Sequence, residues 1–202
     1  NDALELEIMI SQDLITKDNS LFGLESIVDD PIGINKCDKN DFSSDILEIK
    51  SRFGKHLGNG LLLTNNGYFV TANHCLGSAK LLREICVEDQ VGTAYELRVL
   101  HRDIKHDVAL AHIPLDGDSS ALGHSFYDFS EEIGIGAPVQ MFYRQGHLFS
   151  ASGVVSRSSI GVQVPSRCIY EDQLQVTLDG QRGFSGGVAT SRQGVILGLI
   201  SS

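Results

Sequence analysis

The chain has 202 residues, 42% of them hydrophobic, enough to bury one large core or two small ones and too apolar for wholesale disorder. Sixteen basic residues against 26 acidic ones give a formal net charge of -10, which argues against the basic face that nucleic-acid phosphates require. No apolar run approaches the ~20 residues that span a bilayer, and no secretory n-region and h-region opens the chain, although a processed start would hide one.

Residues 1–44 read as an N-terminal extension of unknown role outside the main core. Ala3 to Ile10 has helix-compatible spacing, whereas Asp29-Asp30-Pro31 and Lys36 to Ser44 look like loop. From residue 45 the texture changes to short apolar runs among 21 glycines and only 4 prolines, the pattern of an all-β fold with many tight turns. Ile46 to Lys50 is strand-like. Leu61 to Thr64 and Tyr68 to Thr71 flank Asn65-Asn66-Gly67, whose tolerance of positive φ predicts a tight hairpin. Tyr95 to Val99 alternates like a half-exposed strand, and Val108 to Ile113 is a short apolar run closed by Pro114. Residues 116–135, rich in Asp, Ser and Gly, read as a linker. Strand-like runs resume at Val139–Tyr143, Leu148–Val155, Ile160–Val164, Leu174–Leu178 and Val195–Ile200. Two strand clusters around a polar linker predict two small β-barrels, over 45–115 and 136–202.

The four cysteines, Cys37, Cys75, Cys86 and Cys168, contain no CxxC pair, so the spacing does not suggest structural zinc. Two disulfides are arithmetically possible. The reading leans to four thiols in a reducing compartment, and so weakly to the cytoplasm, with secretion left open.

Three local patterns carry chemistry. Phe69-Val70-Thr71-Ala72-Asn73-His74-Cys75 is a β-run ending in a histidine. His106-Asp107-Val108-Ala109-Leu110 is an acid leading into an apolar strand, and Gly183-Phe184-Ser185-Gly186-Gly187 sets a serine among glycines. A serine hydroxyl is a poor nucleophile until an imidazole takes its proton. A buried carboxylate fixes the tautomer of that imidazole. Glycines let backbone N–H groups approach a developing oxyanion. The order His, Asp, Ser differs from the Ser, acid, His order of α/β-hydrolases.

These patterns, together with Gly58-Asn59-Gly60 and Gly194 to Leu199, resemble the trypsin-like serine peptidases, nearest the bacterial HtrA-like branch, over about residues 45–202. The resemblance implies an all-β fold of two packed six-stranded-type Greek-key β-barrels, the second one open to being incomplete at its C-terminus. It implies that His74 is the general base and then acid, Asp107 its orienting acid and Ser185 the nucleophile. Gly183 and Ser185 would supply the oxyanion-hole N–H groups, and Leu199, Ile200 and Ser201 would bind substrate backbone as an added strand. Asp179 would sit at the base of the P1 pocket and favour Arg or Lys, although Asp179-Gly180 also reads as a plain turn. Phe184 stands where secreted trypsins carry the Asp that pairs with a new N-terminus, so activation by that route is not expected. Cys75 follows the histidine as in those enzymes, yet Phe53 to Gly60 offers it no cysteine partner.

The remaining histidines, His56, His101, His112, His124 and His147, carry no expected catalytic role. His106 beside Asp107 has no second and third ligand at metal-site spacing, so neither a metal nor a cofactor is expected. The expected function is a serine endopeptidase acting through an acyl-enzyme on protein or peptide substrates, in one version latent until an activating protein partner or further segment docks. The alternative is a catalytically silent protein-binding module on the same fold. Ester hydrolysis by the same triad stays open.

Overall fold

A computed structural model of the chain describes residues 5–9, 42, 44–77, 82–122, 124, 133–163, 169–177 and 183–201. Strands dominate, and no α-helix occurs among the described residues. The strands are β1 (Glu5–Met9), β2 (Ile46–Ser51), β3 (His56–Leu62), β4 (Tyr68–Ala72), β5 (Ile85–Glu88), β6 (Ala94–Tyr95), β7 (Arg98–Asp103), β8 (Val108–His112), β9 (Pro138–Gln145), β10 (His147–Gln163), β11 (Ile169–Thr177), β12 (Val188–Thr190) and β13 (Ile196–Ile200).

Two sheets result. One runs β6-β5-β2-β3-β4-β8-β7, and the other is a closed barrel, β1-β11-β10-β9-β12-β13. The hairpin expected at Asn65-Asn66-Gly67 joins β3 to β4. Gly67 has φ +101°, and a Cβ there would lie 1.9 Å from the Ile113 carbonyl oxygen, so only glycine fits. The alternating run Tyr95 to Val99 divides between β6 and β7, while Leu148–Val155 and residues 160–163 of the next expected run fuse into β10, with Val164 outside the described residues. Register shifts against β11 between Val155 and Val162 let this long strand bend around the barrel.

The N-terminal segment departs most from the sequence reading. Glu5–Met9 is a strand, not a helix, and it pairs antiparallel with β11 and β13. Its Glu-Leu-Glu-Ile order also satisfies the two-residue period of a strand, and the pairing partners select that period. Its insertion closes the second barrel, which the sequence had suggested to be open at the C-terminal end.

Each sheet wraps a core. Leu47, Ile49, Phe69, Leu76, Val87, Ala111 and Ile113 fill the first, and Met141, Val155, Val176, Phe184, Leu197 and Ile200 the second. A third cluster joins them: Phe42, Ile46, Leu61, Val70, Val108 and Leu110 from the first unit meet Phe142, Val188, Ile196 and Leu199 from the second. The linker region does not merely span. Leu122 packs on the first core, as does Leu115 just before the linker, and the His124 Nε2 lies 2.9 Å from the Leu62 carbonyl.

Candidate active site

β4 and β8 pair with Ala72 opposite Val108, so the residues just beyond this ladder meet at its end. There the chain leaves β4 through a short 3-10 turn, Asn73–Leu76, and enters β8 through Asp107. The Asn73 N–H donates to the Asp107 carbonyl at 2.7 Å, tying the two loops by their backbones. Asp107 has φ +52°, a left-handed conformation that costs a non-glycine residue of order 1 kcal/mol. Three donors hold it there. The His74 N–H reaches Oδ1 at 2.9 Å, the His74 Nδ1 reaches Oδ2 at 2.5 Å, and the Ser201 hydroxyl reaches Oδ2 at 3.1 Å.

The Asp107 side chain is buried, whereas that of His74 is 40% exposed, so the imidazole spans the interval between a desolvated carboxylate and solvent. Burial lowers the proton affinity of His74, but Asp107 and the neighbouring Cys75 together outweigh it and the net shift is upward. An Nδ1–H held on Asp107 leaves the Nε2 lone pair outward, as a base requires.

Ser185 is buried on the loop that leads into β12, and Phe184 anchors that loop. The Phe184 ring is buried in the second core, 4.0 Å from the Tyr143 ring centre to centre. Where the resemblance leads to an activation acid, an apolar side chain therefore fixes the serine by packing. The Asn59 N–H donates to the Ser185 carbonyl at 2.8 Å. Gly186 has φ +77°, and a Cβ there would lie 2.0 Å from the Asn59 carbonyl oxygen, so the serine loop lies directly on β3.

Gly58 brings the histidine and serine loops together. A Cβ at this position would meet the Cys75 Sγ at 2.3 Å and the Ser185 carbonyl oxygen at 2.8 Å. Cys75, the neighbour of His74, and Ser185 thus approach one glycine from two loops. The same contact shows why Cys75 is a free thiol: glycine faces it. Cys86 is also free, and Cys37 and Cys168 lie outside the described residues.

The other expected residues divide. Ser201 bonds the Asp107 carboxylate. Leu199 and Ile200 are buried barrel residues. Leu199 pairs with Val188 of β12 and Met9 of β1, and Ile200 exchanges backbone bonds with Gly186 and Gly187 while pairing with Ile8. A substrate strand added at those two residues would have to displace β1. Asp179 lies outside the described residues. No cluster of three or more His, Cys, Asp or Glu suited to a metal occurs among the described residues.

Sequence reasoning passed over three residues around Gly183. The Gly183 carbonyl lies 2.9 Å from the His56 Nε2 and accepts from the Asn59 amide at 3.0 Å, and His56 in turn rests on Glu48. The signal available was Gly58-Asn59-Gly60, whose glycines permit this close approach. The cross-strand placement of Glu48 opposite Asn59 needed the register.

Two curled sheets joined by an apolar seam, with an acid-backed histidine on one and a glycine-set serine on the other, define the trypsin-like two-barrel fold. The trypsin-like peptidase domain matches residues 58–199, and the chain belongs to that family. Among curated proteins, it is 27% identical over 164 residues to a probable serine protease do-like of Buchnera aphidicola, covering 74% of this chain and 30% of that one. It is 26% identical over 157 residues to the periplasmic serine endoprotease DegP of Salmonella typhimurium, covering 71% and 29%. The chain thus spans under a third of the length of these relatives. Among solved structures, the MamO protease domain of Magnetospirillum magneticum superposes with a TM-score of 0.63 at 19% identity, covering 79% of this chain and 85% of that one. The HtrA-type protease AlgW with a decapeptide gives 0.60 at 17%, covering 79% and 55%. At such identities these two likenesses speak for the fold alone.

Proposed function

We propose that this chain is a serine endopeptidase domain in which His74, Asp107 and Ser185 form the catalytic triad. The observation that carries the reading is the His74 imidazole bonded through Nδ1 to a buried Asp107 that also receives the His74 N–H and the Ser201 hydroxyl. Such a carboxylate has one strong use, which is to hold the imidazole in the Nδ1–H tautomer and to stabilise the imidazolium that forms. In the reaction, the Ser185 Oγ adds to the scissile carbonyl carbon while its proton passes to the His74 Nε2. The tetrahedral oxyanion is met by the N–H groups of Gly183 and Ser185. His74 then returns the proton to the amine as the C–N bond breaks, leaving an acyl-enzyme that water cleaves by the same steps in reverse roles. The chemistry of every step is supplied by side chains and backbone of this chain.

The test is labelling by a fluorophosphonate, read as intact mass, on the wild type and on Ser185→Ala. One adduct on the wild type and none on the variant is expected, together with a loss of peptidase turnover of ~10⁶-fold in the variant. An unlabelled wild type would overturn the reading for this chain and favour activation by a docking partner or a silent binding module.

A further inference from the structure

The Gly183 peptide sits on a side-chain relay that the triad does not use. His56, the first residue of β3, has an acceptor at each ring nitrogen: the Gly183 carbonyl 2.9 Å from Nε2 and the Glu48 Oε1 2.9 Å from Nδ1. A carbonyl oxygen can only accept, so Nε2 carries a hydrogen. At Nδ1 the hydrogen belongs either to the ring or to the Glu48 carboxyl.

The surroundings of Glu48 decide between these. Its side chain is 3% exposed, and Oε2 accepts the Gly146 N–H at 2.8 Å with the Lys50 ammonium 3.3 Å away. Burial pushes the Glu48 carboxyl up, but the Gly146 N–H, His56 and Lys50 together hold it below the ordinary carboxylate range. Glu48 is therefore the anion, and both ring nitrogens of His56 donate. Lys50 sits opposite His56 on β2 and is bonded to Glu88 of β5 at 2.5 Å, while the Arg144 Nε on β9 is turned to the Ile46 carbonyl. From the second barrel the Gly183 backbone meets the ring, and a Cβ built on Gly183 would lie 3.3 Å from the His56 Cδ2 and Nε2 and 3.4 Å from the Gln145 Oε1.

We propose that His56 is a positioning residue which, seated on Glu48 and donating through both ring nitrogens, holds the Gly183 peptide and so sets the oxyanion loop. The functional half of this rests on the reading of Ser185 and Gly183 given above. Loss of one ring proton must break one of the two bonds. A neutral Nδ1 lone pair would face the Glu48 carboxylate, and a neutral Nε2 lone pair would face the Gly183 oxygen. The ring swings in either case, and Gly183 keeps only the Asn59 amide, which also reaches the Ser185 carbonyl at 3.4 Å.

Ring ¹⁵N shifts of the ¹⁵N-labelled chain, with His56 assigned through His56→Gln, test the relay without any turnover. Expected are two protonated ring nitrogens at pH 7, a Gly183 amide signal that moves with the same midpoint as the ring, and loss of one ring proton at pH 7 in Glu48→Gln. A singly protonated ring at pH 7, or a Gly183 signal that ignores the His56 titration, overturns the proposal. Fluorophosphonate labelling rates give the functional arm. His56→Ala should label about 10–100-fold more slowly, less than the loss of an oxyanion donor itself. His56→Gln, which keeps one donor, should recover much of that rate. Wild-type labelling by His56→Ala overturns the positioning role. Absence of labelling in every form, with the ¹⁵N behaviour as expected, would sink the Ser185 reading and leave the relay standing.

Discussion

Asp107 pays for its role in backbone conformation: it holds φ +52° although asparagine or glycine would accept that region more readily. Replacing it by Asn keeps that conformation and most of the shape but presents an amide NH₂ or oxygen to the His74 Nδ1. The wrong tautomer is then favoured, and kcat should fall about 10⁴-fold with KM little changed. The pH dependence follows from the sign of the His74 shift. Burial lowers its proton affinity, Asp107 and Cys75 together more than restore it, and the net displacement is above the ordinary histidine value of 6.5. His74 must be neutral to accept the serine proton, so kcat/KM should rise with pH through a midpoint above 6.5 in the wild type, and that midpoint should move down in Asp107→Asn. A pH–rate profile of a fluorogenic peptide for both forms checks this, and an unmoved midpoint would separate the acidic limb from His74.

At the scale of elements, β1 is the least expected and the most consequential strand. It stands between β11 and β13 and satisfies backbone groups that both would otherwise expose. Deleting residues 1–10 leaves two bare strand edges facing each other, an invitation to self-association. The truncated chain should melt several degrees lower and elute as larger species at high concentration. Equal melting temperature and a monomer profile would show that β1 contributes nothing to the barrel. Two other strands were missed in the sequence for a plain reason. β5 and β12 have only four and three residues, and each is a strand because a neighbour with matching register is present: β2 for β5, β9 and β13 for β12.

For the whole molecule, the two barrels are held by the apolar seam around Phe42, Val70, Phe142 and Val188 and by buried charges crossing between them, among them Arg144 of β9 on the Ile46 carbonyl and Glu48 of β2. Glu48 reaches from β2 to the Gly146 N–H at the β9–β10 turn. Burial raises its carboxyl, the hydrogen bonds and Lys50 lower it further, and the folded value lies below the unfolded one. A carboxylate of this kind adds stability that is present above its unfolded pKa and is lost as pH falls through the folded value. Urea unfolding should therefore show wild type ahead of Glu48→Gln by about 2 kcal/mol near neutrality, with the gap closing below about pH 4. A gap that stays constant with pH would assign the difference to packing instead.

The sequence alone determined the fold class and the triad candidates, because both are written in local signals. Period-two apolar runs, an Asn-Gly hairpin and a serine among glycines are legible within a few residues of one another, and the order of three such patterns narrows the family. What brings His74 to Asp107 is the β4–β8 register, and what seats the serine loop is Phe184 in a core assembled from distant strands. The parts that stayed hidden are those in which one residue acquires meaning only from a partner far along the chain. His56 looked idle until β2 set Glu48 beside it and the second barrel brought the Gly183 carbonyl to its other nitrogen. The bond from the Ser201 hydroxyl to Asp107 likewise joins residues 94 positions apart in the chain. Glu5–Met9 carried both helical and strand spacing, and only the open edges of β11 and β13 chose between them. Local propensity proposes elements, and the long-range hydrogen bonds that only the closed tertiary structure can make decide which of them is used and what each polar side chain does.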